Sequence, residues 1–176
     1  MKYKSKDAEQ NAILNVAYGM VAAARTAPKA CGIDNLETLI VDGDDKKALA
    51  ETMRGMGGTE GSANFARDAG NVDNSECVVL LGAIYNPVGL SECSNCGFES
   101  CEAMAGAGGR CAFNITDLGI AVGSAVSFAM DNRIDNRIMF TAGKAAYELG
   151  WFPESVSVVY GIPLSVSGKS PYFDRK

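Results

Sequence analysis

The 176-residue sequence predicts one domain of the α/β or α+β class, and three observations carry this prediction. Patterns typical of helices and of strands alternate along the chain, as they do in folds that pack helices on a sheet. Residues 77–84 form a continuous apolar run of strand length, which predicts a central strand buried on both faces. No linker or internal repeat divides the chain, and its length is that of one ordinary domain.

The first half of the chain predicts two helices and a strand, followed by a third, short helix. Apolar residues recur every three or four positions over 7–26, which predicts an amphipathic helix that ends before Pro28. Residues 36–41 predict a strand, and the turn after it leads into a helix capped by Asp44 that continues to Met53. The short helix is predicted at 62–68, ahead of the central strand.

Beyond the central strand, the sequence predicts a cysteine-rich insertion, two helices, a strand and a polar arm. Apolar periodicity marks the helices, and strict alternation after Pro153 marks the strand. The polar end of the chain is predicted to be extended. These segments are the insertion at 93–111, helices at 117–130 and 138–149, a strand at 155–162 and an arm at 168–176.

Composition and charge exclude several classes of function. The chain has 16 Lys+Arg against 21 Asp+Glu, a net charge of −5, whereas nucleic-acid-binding surfaces concentrate positive charge. We therefore expect no nucleic-acid partner. The absence of histidine excludes Ser-His-Asp and Cys-His catalysis, histidine zinc sites and Rieske centres. The remaining chemistry must use cysteine, carboxylates or a bound cofactor.

The sequence predicts a cytoplasmic location, and this location bears on the role of the cysteines. The charged start of the chain is not followed by an apolar segment, and no stretch reaches the roughly 18 apolar residues that cross a bilayer. We expect a cytoplasmic protein with no membrane partner. Because cytosolic thiols are kept reduced, the six cysteines are expected to be metal ligands or redox groups.

Four of the cysteines form the strongest signal in the sequence. Cys93, Cys96, Cys101 and Cys111 follow the spacing Cys-x2-Cys-x4-Cys-x9-Cys. An iron–sulfur cluster needs four thiolates around a compact object, and a Cys-x2-Cys pair with Gly97 in its turn can wrap one corner. The spacing predicts that these four residues hold a cluster with two or four irons.

Structural zinc is the first alternative, because four-cysteine zinc sites also begin with Cys-x2-Cys. Zinc ribbons end in a second Cys-x2-Cys, which this chain does not have, so the spacing favours a cluster. Free thiols are the second alternative. Cys77 begins an apolar run and is expected to be a buried hydrophobe. Cys31 has Lys29 nearby, which is a weak basis for a reactive thiol.

Several strings resemble a known family across nearly the whole chain. They are Ala-Ala-Arg-Thr-Ala-Pro-Lys at 23–29, Cys-x2-Cys-Gly-Phe at 93–98, Asp-Leu-Gly-Ile-Ala at 117–121 and Tyr-Phe-Asp-Arg at 172–175. The family is that of uncharacterised ferredoxin-domain-containing proteins, domain of unknown function 2148. The Cys-x2-Cys-Gly-x3-Cys opening also resembles the four-iron domain of corrinoid and carbon-monoxide-metabolism proteins, where the last cysteine comes later. These resemblances imply a cluster, with 4Fe-4S favoured over 2Fe-2S, but no substrate.

A more distant similarity is to FMN-dependent nitroreductases. It rests on an Ala-rich helix, Ala-Pro, a polar loop and a strand at 23–41, an Asp-x-Gly-x-Ala helix at 117–125 and a strand ending in Gly-x-Pro at 158–163. The resemblance implies an α+β sandwich of a mixed sheet and helices. It also implies a homodimer formed through long helices, with FMN at the dimer interface.

The flavin-binding details of that family match this chain poorly. Its N-terminal Arg-x-Arg phosphate clamp is missing, so FMN is expected to bind weakly or not at all. If FMN binds, the resemblance implies that Arg25 or Lys169 holds the phosphate, and that Gly32 and Asp34 lie near the ring. Two other cations in the matched segments could bind phosphate: Lys29 and Arg175.

The leading hypothesis is an iron–sulfur, ferredoxin-like electron-transfer protein on a nitroreductase-like frame. If the protein is an enzyme, we expect an oxidoreductase, and the resemblance to nitroreductases implies that it would be flavin-dependent if FMN binds. The alternative is a non-catalytic interaction module in which the four cysteines bind structural zinc. The sequence identifies neither the redox partner nor the substrate.

Overall fold

A computed structural model describes residues 1–58 and 63–173 of the chain. Its order of elements is helix α1 (Ser5–Thr26), a 3-10 turn (Ala30–Gly32), strand β1 (Leu36–Asp42), α2 (Gly43–Met56), α3 (Ala63–Asp73), β2 (Cys77–Ile84), α4 (Cys101–Gly106), α5 (Ala112–Asp131), β3 (Asp135–Asn136), α6 (Phe140–Glu148) and β4 (Val156–Ser165). The predicted α+β class is confirmed.

The four strands form one sheet in the order β1-β2-β4-β3. Each neighbouring pair is antiparallel, so the expectation of a mixed sheet is wrong for the described residues. An apolar run shows that a strand is covered on both faces but carries no information on the direction of its neighbours. The prediction that β2 is central is confirmed, since it pairs with β1 and β4.

Helices cover both faces of the sheet. Successive strand residues point to opposite faces, so Val79 and Leu81 of β2 pack with α1 and α5. Val78 and Leu80 pack with α2, α3 and α6. The result is a three-layer sandwich with one hydrophobic core on each side of the sheet.

Several boundaries differ from those predicted. Helix α5 starts at Ala112, earlier than the predicted residue 117, because the last cysteine of the motif lies at its N-terminus. Asp42 rather than Asp44 occupies the N-cap of α2, and Asp44 pairs with Lys47 one turn later at 2.7 Å. The short helix predicted at 62–68 is α3, which continues to Asp73; residue 62 lies outside the described residues.

The C-terminal segment does not extend away from the domain as predicted. Tyr172 is 2% exposed and packs into the core beneath α2 and α6. Its hydroxyl hydrogen-bonds with Ser75 Oγ at 2.8 Å, and its carbonyl accepts from Arg137 Nη1 at 2.8 Å. Residues 168–173 therefore form a strap along the domain, while 174–176 lie outside the described residues.

Helix α5 is long and apolar enough to cross a membrane by length and composition alone, although no such segment was expected. That is weak evidence for a membrane span, because core helices of folded domains pass the same test. Leu118, Ala121 and Ala125 of α5 are buried against α1 and the sheet, so in this fold the helix is a layer of the sandwich.

Candidate functional site

The cysteine loop, residues 93–111, lies between the end of β2 and the start of α5. A turn at Gly97 (φ +83) closes with a hydrogen bond from its N–H to the carbonyl of Ser94 at 2.9 Å. Ser100 caps α4, its Oγ accepting from the N–H of Ala103 at 3.1 Å. Cys111 is the N-cap residue of α5, so the loop is anchored to the frame at its last cysteine.

All four cysteines of the motif line a single cavity of about 30 Å³, called here the cysteine cavity. Cys111 is buried, whereas Cys93, Cys96 and Cys101 are half-buried, and all four thiols are free. The rest of the lining combines apolar residues, Leu90, Phe98, Met104, Ala112 and Phe113, with the polar residues Ser94, Glu99 and Ser100. The four cysteines predicted from their spacing therefore surround the same cavity.

The thiols do not converge on one point. Among the described residues, no group of three or more Cys, Asp or Glu side chains is placed to hold one metal ion. Four soft thiolates are the donor set of iron–sulfur clusters and also of four-cysteine zinc sites, so the residue types fit either group.

The other two cysteines lie apart from this cavity. Burial raises the pKa of the Cys77 thiol to about 12, with Asp42 and Glu76 adding to the shift, so this thiol stays protonated at neutral pH. That agrees with its expected role as a buried hydrophobe. Cys31 is exposed in the 3-10 turn and has a positive φ of 54°.

The structure brings three of the four predicted flavin-binding residues together at the C-terminal end of α1. Arg25 Nη1 pairs with Asp34 Oδ2 at 2.7 Å and donates to the carbonyl of Leu36 at 2.7 Å. Gly32 lies in the turn between them, with φ +66. Lys169 lies elsewhere, in the strap between Ser165 and Tyr172, at the opposite end of the sheet from Leu36. Arg175 lies outside the described residues.

Lys29 caps helix α1. Its side chain is 6% exposed, and its Nζ donates to the carbonyls of Ala24, Arg25 and Ala27 at 3.2, 2.7 and 2.9 Å. A cation at a helix C-terminus satisfies carbonyls that have no partner within the helix. Both cations of this loop are therefore already engaged within the chain.

Polar residues with no predicted role fix the same loop to α5. Both carboxylate oxygens of Asp117 accept from the N–H of Ala30, at 3.1 and 3.0 Å. The Asn114 side chain makes two hydrogen bonds with the backbone of Asn86: its Oδ1 accepts from the N–H, and its Nδ2 donates to the carbonyl. The side-chain Nδ2 of Asn86 in turn donates to Asn35 Oδ1 at 3.0 Å. Asparagines spaced this far apart in sequence give no local signal, so only the fold reveals the network.

Comparison with known proteins places the chain in a family. The profile of DUF2148, described as uncharacterized protein containing a ferredoxin domain, matches residues 107–175. An uncharacterized protein of Archaeoglobus fulgidus is 41% identical over 183 residues, covering 99% of this chain and 98% of that protein. The chain belongs to the DUF2148 family. Of the four motif cysteines, the segment that matches the profile contains Cys111 alone.

Solved structures show the fold of this DUF2148 protein. A nitroreductase family protein from Clostridium novyi NT matches with a TM-score of 0.61 and 18% identity, covering 86% of this chain and 73% of that one. A nitroreductase with bound FMN from Desulfitobacterium hafniense DCB-2 also gives 0.61, at 15% identity, covering 88% and 78%. The expected nitroreductase-like frame is therefore confirmed.

Proposed function

We propose that this DUF2148 protein is an iron–sulfur redox protein whose cluster is held by Cys93, Cys96, Cys101 and Cys111. The observation that carries the proposal is that these four free thiols line one cavity. The family description, which names a ferredoxin domain, supports it. Six free cysteines suit a reducing compartment, so we place the protein in the cytoplasm.

The chain supplies the ligands and shapes their surroundings. A bound cluster would supply one-electron transfer. Leu90, Phe98 and Met104 limit water around the thiolates, and both solvent access and burial tune the potential of such a site. The N-terminus of α5 lies at Cys111, where the helix dipole stabilises negative charge.

The test is the visible spectrum, with iron, sulfide and zinc contents, of protein purified without oxygen. We expect a broad charge-transfer band, with close to four iron and four sulfide per chain for the favoured 4Fe-4S form. Two of each would make the cluster 2Fe-2S. One equivalent of zinc with no visible band would establish the structural zinc module instead.

Substitution of single cysteines tests the ligand set. Cys111→Ser should lose most of the iron, because each thiolate contributes to one cooperative site. Cys31→Ser is the matched control, since this exposed thiol lies outside the cysteine cavity. A full cluster in Cys111→Ser, together with its loss in Cys31→Ser, would contradict the assignment.

We further propose that the protein is a homodimer and binds FMN weakly. Helices α1 and α5 pack together and leave apolar side chains exposed: Tyr18 at 63%, Ile120 at 41% and Met130 at 55%. A surface of this kind supports a protein contact. For FMN, the engagement of Arg25 by Asp34 and of Lys29 by carbonyls leaves the loop without an uncompensated cation for a phosphate.

A further inference from the structure

A large cleft adjoins the cysteine loop. It has a volume of about 1120 Å³ and is bounded by the glycine-rich end of the cysteine loop, by β4 and by α6. Pockets for small molecules measure roughly 300–1,000 Å³, combine apolar walls with a few polar groups, and are few in any protein. The cleft is large enough for a small organic molecule.

One layer of side chains separates this cleft from the cysteine cavity. Tyr85 lines the cleft and Met104 lines the cysteine cavity, and the Tyr85 hydroxyl donates to Met104 Sδ at 3.7 Å. Arg110 also lines the cleft, and the next residue, Cys111, lines the cysteine cavity. A molecule in the cleft would therefore lie beside the proposed redox centre.

Three aromatic residues line the cleft. Tyr85 lies on the side of the cysteine loop, and Phe140 and Tyr147 lie on α6. Phe140 is 50% exposed and Tyr147 is 45% exposed. Single exposed aromatic side chains need no explanation, whereas several around one concave surface indicate a site for a flat, apolar ring.

The charges of the cleft select a single negative group. Arg110 lies over the Tyr85 ring at 5.8 Å and donates from Nη1 to the carbonyls of Gly108 and Gly109, so its other N–H groups remain available. An arginine fork matches a carboxylate in bidentate geometry. Lys144 adds a second cation, and within the described residues neither cation pairs with a carboxylate.

Two acidic residues limit how much negative charge the cleft accepts. Glu148 and Glu154 also line it, so its lining carries two cationic and two acidic side chains. A molecule with several phosphates would meet both carboxylates, and like charges at close range cost binding free energy. A single carboxylate can pair with Arg110 and brings less negative charge near the two acids than several phosphates would.

We propose that this cleft binds a small aromatic monocarboxylate, with the carboxylate on Arg110 and the ring between Tyr85 and the aromatic side chains of α6. Binding itself does not depend on iron in the cysteine loop. The role of the bound molecule next to a redox centre does rest on the proposed function.

The test is calorimetric titration of the metal-loaded protein with 2-naphthoate and with neutral 2-naphthamide, which share one ring system. We expect naphthoate to bind about tenfold or more tightly. Arg110→Gln should remove this preference while leaving naphthamide binding unchanged. Lys47→Gln is the matched control, because Lys47 is an exposed cation on α2, paired with Asp44 and outside the cleft.

A second variant is needed because Arg110→Gln could change the conformation of the cysteine loop as well as remove a charge. Tyr147→Ala changes the opposite wall, and should weaken both probes about fivefold without changing their ratio. Equal binding of the two probes by the wild type, no binding of either at millimolar concentration, or a preference that survives Arg110→Gln would overturn the proposal. Iron content, measured on the same samples, tests the proposed function separately. Protein without a cluster that still prefers naphthoate refutes only that function.

Discussion

Gly143 of α6 lies directly against the backbone carbonyl of Val159 on β4, where a Cβ atom would overlap the carbonyl carbon and oxygen. This contact lets α6 lie against the sheet and form one wall of the cleft. A backbone carbonyl in a paired strand cannot swing aside as a side chain can. The position therefore admits glycine alone at this helix–sheet distance.

Gly143→Ala should lower the free energy of unfolding by about 2–3 kcal/mol, because the added methyl group overpacks a rigid contact. Urea unfolding measures the change. Gly70→Ala on α3 is the matched control: nothing lies within 4 Å of its Cβ position, and it should be neutral or stabilise by up to about 1 kcal/mol. Equal effects of the two variants would show that the contact with Val159 is not tight.

Thr141→Val should cost about 1–3 kcal/mol of stability. The Thr141 hydroxyl donates to Asp68 Oδ2 at 2.8 Å, and both residues are buried, so the variant removes a partner from a buried carboxylate. Thr26→Val, whose exposed hydroxyl bonds only to carbonyls of its own helix, should change stability by less than about 0.5 kcal/mol. Thermal unfolding of both variants in parallel provides the comparison.

Stability should fall as pH rises from about 9 to 12. Burial raises the pKa of the Tyr172 hydroxyl to about 12 from an ordinary 10.0, and that of the Cys77 thiol to about 12 from 9.0. Over this window the unfolded chain releases protons that the folded chain keeps, which favours unfolding. Each group contributes a slope of at most about 1.4 kcal/mol per pH unit.

Tyr172→Phe should flatten this alkaline loss between pH 10 and 12, because phenylalanine has no proton to release. It should also lower stability by about 1 kcal/mol at neutral pH, through loss of the hydrogen bond to Ser75. Denaturant unfolding at pH 8, 10 and 11 measures both effects. Tyr3→Phe, at a position 71% exposed, should leave the pH profile unchanged.

Light scattering should give a mass of about twice 18.4 kDa at micromolar concentration. Ile120→Glu should shift this mass toward the monomer, because it places a charge on the exposed apolar surface of α5. Ile138→Glu introduces the same charge at a residue 45% exposed just ahead of α6, and should remain dimeric. A monomeric wild type would contradict both the homodimer and its assignment to α1 and α5.

Anaerobic titration with FMN should give a dissociation constant weaker than micromolar. Asp34→Asn should strengthen binding several-fold, because it removes the carboxylate that neutralises Arg25. Lys169→Gln should have little effect, since Lys169 lies at the other end of the sheet. Sub-micromolar affinity in the wild type would show that the missing Arg-x-Arg pattern does not limit FMN binding.

Features set by local sequence could be predicted. The run at 77–84 gives strand β2 because its side chains are apolar on both faces, and all but Ile84 are buried. The four motif cysteines line one cavity because a short, continuous segment contains them all. In both cases the residues that act together are neighbours in the chain.

Features that depend on distant segments could not be predicted. Lys169 and Arg25 lie at opposite ends of the sheet, and only the strand register shows this separation. Tyr172 is buried, although its own segment is polar, because its hydroxyl hydrogen-bonds with Ser75 and its ring packs in the hydrophobic core. The cleft draws its walls from the cysteine loop, β4 and α6, none of which carries a recognisable motif for it.

The position of the cysteine loop, between the end of β2 and the N-cap of α5, separates the four motif cysteines from the two cores. Among the described residues, no strand contributes a thiol to the cysteine cavity, so we expect the sandwich to fold without the proposed cluster. Cys93, Cys96 and Cys101 are half-buried, so the cysteine cavity can be reached from solvent. If the four cysteines hold the proposed cluster, its delivery, rather than folding, would limit maturation of the protein in a cell short of iron.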